Sequence, residues 1–372
     1  MRIAFYAPLK APNHRVPSGD RTVARLIVKA LESMGHVVEL ASTLRAYDGT
    51  GDSKRQTVIA AAGLKQAEAL ERRWRGNPPD LWFTYHLYHK APDHLGPRLA
   101  EAFGLPYVVA EPSIAPKQRK GPWSDGYAHS LAALARADAL MPVTSEDAEG
   151  LAHAGIPAER LVPLTPFVDV APYQRHKPTT ARKRLVERYG VSSDRPLALV
   201  VAMMRGGDKM ASYRVLADAL VHIDPDAMDL LVIGDGPCRS EVEALLKGRA
   251  RFAGQISPRS LPGMLVGCDL CLWPAINEAY GMALLGAQAA GLPLVAGHAR
   301  GVPEIAQDGK TALLVKEGDA TAFADAVKRL IADPLRRAAM GSAAGDHVAV
   351  RHSMASAALA LDRAITLAKH LR

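Results

Sequence analysis

Two short segments place charged residues where an apolar run gives way to a helical pattern. In VAMMRGGDKMASYRVLADAL (201–220) the apolar run ends at Met204, and a glycine-rich loop displays Arg205 and Lys209 before the next helix. Two cations at the carboxyl end of a strand can neutralise a diphosphate as charge develops on it. In LCLWPAINEAYGMALLGAQAAGLPLVAGHARGVPE (270–304) Glu278 stands between the end of a strand pattern and the start of a helix. The amides of Tyr280, Gly281 and Met282 are then expected to be unpaired donors at a helix N-terminus, an arrangement that binds phosphate. Gly281 lets a diphosphate approach the backbone, and Glu278 can accept hydrogen bonds from sugar hydroxyls beside it. The plainer alternatives are a solvated basic turn for the first segment and an ordinary strand–turn–helix with a chance acid for the second.

Other chemistry-bearing residues are more ambiguous. Gly19, in Ser18-Gly19-Asp20 after RIAFYAP, can offer helix N-terminal amides to an anion, or Ser18 can be a plain cap. WFTYHLYHKAPDHL (82–95) gathers His86, His89 and His94 just past a strand pattern. No acid completes a compact metal set there; His86 is expected on a cleft wall and His94 as a solvated loop residue. Glu111, after YVVA, is expected at the same cleft. The basic loop KQRK (117–120) with Trp123 suits an anionic lipid surface or acidic acceptor, or is simply solvated. Asp224-Pro225-Asp226 follows a helix rather than a strand and reads as a turn, so no divalent metal and no cofactor are expected. Cys268 and Cys271, inside CDLCLWP, read as buried thiols rather than a redox or metal pair.

The elements that must hold these residues alternate along the chain. Strand-like runs Ile3–Ala7, Val37–Ala41, Leu81–Tyr85, Tyr107–Ala110 and Ala139–Val143 are separated by amphipathic segments. After a proline-rich stretch from Pro163 to Pro178 the alternation restarts at Leu197 and runs to Ala296. Strands separated by helices pair in parallel through right-handed crossovers. The expectation is an α/β chain of two Rossmann-like, doubly wound parallel-sheet domains facing a central cleft. Residues 1–165 form the first domain, 166–190 a hinge or linker, and 191–351 the second. A helix within about 352–372 is expected to pack back on the first.

With 372 residues, 48% of them hydrophobic, the chain has enough apolar material for two cores. The longest apolar runs are strand-length, well short of the roughly 20 residues a membrane span needs. The MRIAFYAP start leads straight into a strand pattern without a signal-peptide core, and three cysteines build no disulfide framework. A cytoplasmic protein follows, with a peripheral contact on the inner membrane face as a further expectation. A net charge of +8 favours anionic partners, but aromatics are only 5% and basic residues are dispersed, which argues against nucleic acid.

The donor-side segments together resemble the retaining family-four glycosyltransferases of the GT-B fold, the group-1 glycosyltransferases. Glu278, Gly281, Ala287, Ala289, Gly291, Pro293, Val295 and Ala296 match that family's acid-x-x-Gly pattern and the turn after it. Arg205 and Lys209 resemble its Arg-loop-Lys pair, on a loop about one residue short. IGDGP (233–237), FAGQIS (252–257), GVPEI (301–305) and DGKTALLVKEGD (308–319) fall in the family's order. The family's second acid, eight residues after the first, falls on Gly286, which leaves its usual ribose contact without a carrier.

The resemblance implies sugar transfer from a nucleotide-diphosphate sugar to a glycan or lipid-linked acceptor, with retention and without metal, in bacterial surface polysaccharide or glycolipid synthesis. It implies catalytic roles for Glu278, Arg205 and Lys209, and a place beside the sugar or acceptor for His86 and Glu111. Gly234 and Gly236 would leave room for the nucleotide, and the backbone at Ile256 would face the base. Other readings of the same residues are a sugar-nucleotide epimerase or hydrolase, or a degenerate nucleotide-sugar-binding partner subunit.

Overall fold

Runs only three to seven residues long become strands here because each is followed by a helix that carries the chain back across the sheet. In the computed structural model, which describes residues 1–16 and 18–372, the chain divides into two α/β units. One comprises Met1–Thr165 with Met354–Arg372, the other Pro166–Ser353.

The first unit contains β1 (Arg2–Tyr6), β2 (Val37–Ser42), β3 (Leu81–Leu87), β4 (Tyr107–Pro112) and β5 (Ala139–Met141), in the order β2-β1-β3-β4-β5. All four pairings are parallel. Strands β1, β3 and β4 are buried along nearly their whole length, as expected of a parallel sheet covered on both faces. The helix Met354–His370 packs on the helix Gly19–Ser33 and on β5, with Ala357, Leu361, Ala364 and Ile365 among its buried residues.

The second unit contains β6 (Leu197–Val201), β7 (Asp229–Ile233), β8 (Arg251–Gly254), β9 (Leu270–Trp273), β10 (Leu294–Gly297) and β11 (Ala312–Val315), in the order β11-β10-β9-β6-β7-β8. Both sheets are therefore Rossmann-like. Each has one place where successive connections turn in opposite directions: between β1 and β3 in the first, between β6 and β9 in the second. Open α/β sheets bind ligands outside the strand carboxyl ends at such a point.

Residues 166–190, expected as a hinge, are structured. They contain the helices Ala171–Gln174 and Pro178–Tyr189, and Ala181 and Leu185 are buried. Pro172 and Pro178 lie in the first turn of these helices, where the missing N–H has no intrahelical partner to lose. The second unit also carries helices Ala320–Ala332 and Pro334–Arg351, which the sequence periodicity did not delimit.

Candidate active site

In the second unit Lys209 and Glu278 meet at the reversal point. Gly207, at φ 74°, turns the chain out of the β6 loop, and the helix Asp208–Val221 begins at once. Lys209 therefore sits in the first helical turn rather than on the loop. Glu278 follows β9 after a tight segment in which Ala275 and Asn277 take positive φ. Such backbone is costly for residues with side chains, of order 1–3 kcal/mol each, and persists only where surroundings impose it. Here the Ile276 amide donates to Ser212 Oγ at 3.0 Å, the Asn277 amide to Glu317 at 3.0 Å, and Asn277 Nδ2 to Asp208 at 3.1 Å.

The Lys209 ammonium is ion-paired with Glu278 Oε2, which also accepts from Trp273 Nε1 at 3.0 Å. The same ammonium lies 5.3 Å from the Trp273 ring centroid. Both charged side chains are mostly enclosed, 18% and 16% exposed. Trp273, the last residue of β9, was not singled out from the sequence, although an indole ending an aliphatic strand was a visible signal. Arg205 is exposed on the turn ahead of Lys209.

The helix beside Glu278 runs Met282–Ala289, with Gly281 as its left-handed N-cap at φ 78° and no side chain capping it. Its first free amides thus begin at Gly281 and continue into Met282 and Ala283, while Tyr280 lies outside the helix. Gly286 is buried, and a Cβ placed there would stand 2.9 Å from the Tyr173 hydroxyl. Tyr173 thus borders the position where the resemblance expects the second acid. Gly234 and Gly236 follow β7, where a Cβ would collide with the carbonyl oxygens of Ala202 and Met204. These glycines let the β7 and β6 loops approach each other, a protein-packing reason beside the nucleotide one. Ile256 is half-buried just past β8.

Asp224–Asp226 precedes β7, at the amino end of the sheet and away from Lys209 and Glu278, with Asp226 paired to Arg195 at 2.8 Å. Cys268 and Cys271 are buried and free, and burial pushes the Cys271 thiol up to about 12. Among the described residues no three His, Cys, Asp or Glu side chains form a group that could hold a metal ion.

In the first unit His86 and Glu111 lie on neighbouring strands at the carboxyl end of the sheet, both at positive φ, 59° and 53°. Asp20 reaches them from the first turn of the helix Gly19–Ser33. His86 Nδ1 is 3.2 Å from Asp20 Oδ1 and 3.4 Å from Glu111 Oε1. Burial opposes charge on this ring, but the carboxylates of Glu111 and Asp20 outweigh it and lift His86 to about 9, an imidazolium at neutral pH. Burial opposes the charge on Asp20, yet the His86 imidazolium 3.2 Å away holds this carboxyl below the usual carboxylate range, while burial raises Glu111.

Ser18 caps the helix, accepting from the Arg21 amide at 3.2 Å, and Gly19 is its first residue. With Asp20 in that turn, a second anion at Gly19 would meet a carboxylate. His94, expected to be solvated, is half-buried against His129, ring centroids 4.8 Å apart, because Asp93 anchors its loop. That buried carboxylate accepts from Trp82 Nε1, Thr84, Tyr107 and the amides of Leu95 and Gly96 at 2.5–3.0 Å. Residues 117–120 are on a short 3-10 turn, and Trp123 is half-buried with its indole N–H on the Asp48 carbonyl. No helix among the described residues is long and apolar enough to cross a membrane.

Two Rossmann-like parallel-sheet units, each with charged groups gathered at its reversal point, define the fold class of the GT-B glycosyltransferases. Residues 195–333 match the family model of glycosyl transferases group 1, and the chain resembles the members of that family. It is 30% identical over 226 residues to a D-inositol 3-phosphate glycosyltransferase of Xylanimonas cellulosilytica, covering 57% of this chain and 52% of that protein. It is 29% identical over 231 residues to an alpha-D-kanosaminyltransferase of Streptomyces kanamyceticus, covering 60% and 59%. These matches span little more than half the length of either relative. The crystal structure of Anabaena HepE in complex with UDP-glucose superposes with a TM-score of 0.72 at 17% identity, over 100% of this chain and 99% of that one.

Proposed function

We propose that the chain transfers a sugar from a nucleotide-diphosphate sugar to an acceptor hydroxyl, with retention at the anomeric carbon and without a divalent metal. The observation that carries this reading is the Lys209–Glu278–Trp273 cluster at the β6/β9 reversal point, inside the segment that matches group 1 glycosyl transferases. Arg205 and Lys209 would neutralise the departing diphosphate, with the free amides of Gly281 and Met282 beside them. Glu278 would orient the sugar through its hydroxyls while holding the Lys209 ammonium in place.

In the transfer the bond from the anomeric carbon to the phosphate oxygen breaks and a bond to the acceptor oxygen forms on the same face. The leaving phosphate takes the acceptor proton, so no separate protein base is needed. Retention rests on the likeness of the donor segment to the family-four enzymes. Independence of metal rests on the two cations, which supply the charge a divalent ion would. His86 and Glu111 would border the sugar or acceptor. A glycan or lipid-linked acceptor, a cytoplasmic location with the basic surface of the chain resting on an anionic membrane, and a place in surface polysaccharide or glycolipid synthesis complete the reading.

Replacing Lys209 with Ala should lower turnover at least about a hundredfold, since its charge acts mainly on the developing phosphate. Turnover is followed as nucleotide release from UDP- and GDP-sugars with a glycan acceptor panel. Near-normal transfer by that variant would remove Lys209 from the mechanism. Release of free sugar or of an epimer without acceptor would instead favour a hydrolase or epimerase. Donor binding with no turnover across the panel would favour a binding subunit.

A further inference from the structure

Tyr173 reaches a point on the helix Met282–Ala289 that the sequence leaves without a side chain. Gly286 is buried in that helix, and the nearest atoms to a Cβ built on it are the Tyr173 hydroxyl at 2.9 Å, Tyr173 Cζ at 3.9 Å and Leu265 Cδ2 at 4.0 Å. Helical Cα–Cβ bonds tilt toward the N-terminus, so a group at this point leans over the turn that begins at Met282. Met282 is four residues back, about 6 Å along the axis. The Tyr173 hydroxyl therefore stands within about one turn of the free amides at the helix start.

The residues around Tyr173 hold it there. The Ala171 amide donates to Asp169 Oδ1 at 3.2 Å, and the Tyr173 amide donates to the Val170 carbonyl at 3.1 Å. The His176 amide donates to the Tyr173 carbonyl at 3.3 Å, and the His176 ring covers Gly263 of the helix Leu261–Leu265, where a Cβ would come within 3.0 Å of it. The half-buried Tyr173 ring packs against the core of the second unit. Its hydroxyl has no hydrogen-bond partner among the described residues, yet, unlike the Tyr189 hydroxyl, it is not sealed from solvent. A ligand can reach it.

The chemistry of the hydroxyl narrows what that ligand group is. Burial, then the Asp169 carboxylate, pushes it up to about 12, so it stays neutral at physiological pH. A neutral phenol sets no negative charge beside a bound diphosphate, and it both donates and accepts, as an alcohol partner requires. Glu278 lies against the other side of the helix start, its Cγ 3.4 Å from a Cβ built on Gly281. In a nucleotide-diphosphate sugar the diphosphate carries the transferred sugar at one end and a ribose at the other. The free amides of the helix start separate Glu278 from the Tyr173 hydroxyl as the diphosphate separates those two sugars.

We propose that the Tyr173 hydroxyl contacts the ribose of the donor, hydrogen-bonding one hydroxyl of its 2′,3′-diol. The proposal rests on the glycosyltransferase reading and names the group that selects the nucleoside sugar of its donor. A carboxylate at position 286 could accept from both hydroxyls of the diol at once. The single phenol hydroxyl engages one, so Tyr173 reads one position of the ribose and not the pair.

The test uses the full chain. UDP, GDP and ADP are titrated calorimetrically, and the tightest is compared with its 2′-deoxy and 3′-deoxy forms in the native chain and in Tyr173→Phe, which keeps the ring. In the native chain, removal of one of the two hydroxyls should weaken binding about two- to tenfold, the range of one neutral hydrogen bond. Tyr173→Phe should weaken the ribonucleotide by the same factor and leave that deoxynucleotide unchanged, so that the two bind alike. Unchanged discrimination in Tyr173→Phe overturns the proposal. So does equal weakening of ribo- and deoxynucleotides, which a packing role alone would give, or a native chain indifferent to both hydroxyls. Failure of all three nucleotides to bind would instead overturn the glycosyltransferase reading, and the proposal with it.

Discussion

Gly286 and Tyr173 should be energetically coupled, and the size of the coupling follows from one distance. A methyl group at position 286 would stand 2.9 Å from the Tyr173 hydroxyl, whereas the next atom of that ring, Cζ, is 3.9 Å away. In the unaltered chain Gly286→Ala therefore meets an overpacked contact, a defect of about 1–3 kcal/mol. Against this stands the helix preference of Ala over Gly, about 1 kcal/mol. The net expectation is a loss of about 1 kcal/mol.

In a Tyr173→Phe background the close atom is gone, and the same substitution should stabilise the chain by up to about 1 kcal/mol. The coupling in the cycle is then about 1–2 kcal/mol, within the range seen for touching residues. Urea denaturation of the four proteins measures it, provided the slope is unchanged. Equal effects of Gly286→Ala in both backgrounds would refute the idea that Tyr173 is what excludes a side chain there.

Three further outcomes follow. The folded His86 is lifted to about 9, so its stabilisation is fully present below about 6.5 and is lost as pH rises through about 9. The stability advantage of the native chain over His86→Gln should shrink across that window by up to roughly 3 kcal/mol; a pH-independent difference would contradict an imidazolium between Asp20 and Glu111. Asp93→Ala should destabilise by at least about 3 kcal/mol in thermal or urea unfolding, because the Thr84 and Tyr107 hydroxyls and two amides lose this acceptor and the Trp82 indole keeps only Thr84. Gly234→Ala should impair folding or soluble yield rather than donor affinity alone, since its Cβ collides with the Ala202 carbonyl; a stable variant deficient only in nucleotide binding would show the opposite.

The two-sheet fold was legible because β1, β3, β6 and β9 are apolar runs buried on both faces, and the segments between them carry helical periodicity. The stretch 166–190 was not, because Pro172 and Pro178 look like breakers in sequence while acting as first-turn residues in space. The helix Pro334–Arg351 is rich in alanine, so its buried stripe of Met340, Gly341, Ala344 and Val348 contrasts little with its outer face. Lys209 and Glu278 could be named from the turns they occupy, and they do meet. Their third member, Trp273, could not be assigned, since an indole N–H finds its acceptor only once the Ala275–Asn277 backbone has taken its unusual turn. Asp20 was visible in sequence but had no role until folding brought His86 and Glu111 to it.

The return of the helix Met354–His370 to the first unit sets an order of events during synthesis. When residue 165 emerges, all five strands of that unit exist, yet the helix Gly19–Ser33 and β5 lack the helix that covers them. The second unit, residues 166–353, is contiguous and can close as soon as it has been made. At about 5–20 residues per second the first unit waits roughly ten to forty seconds with that apolar surface uncovered. Ribosome-bound chains released before residue 354 are therefore the forms in which chaperones or misassociation would act on this protein.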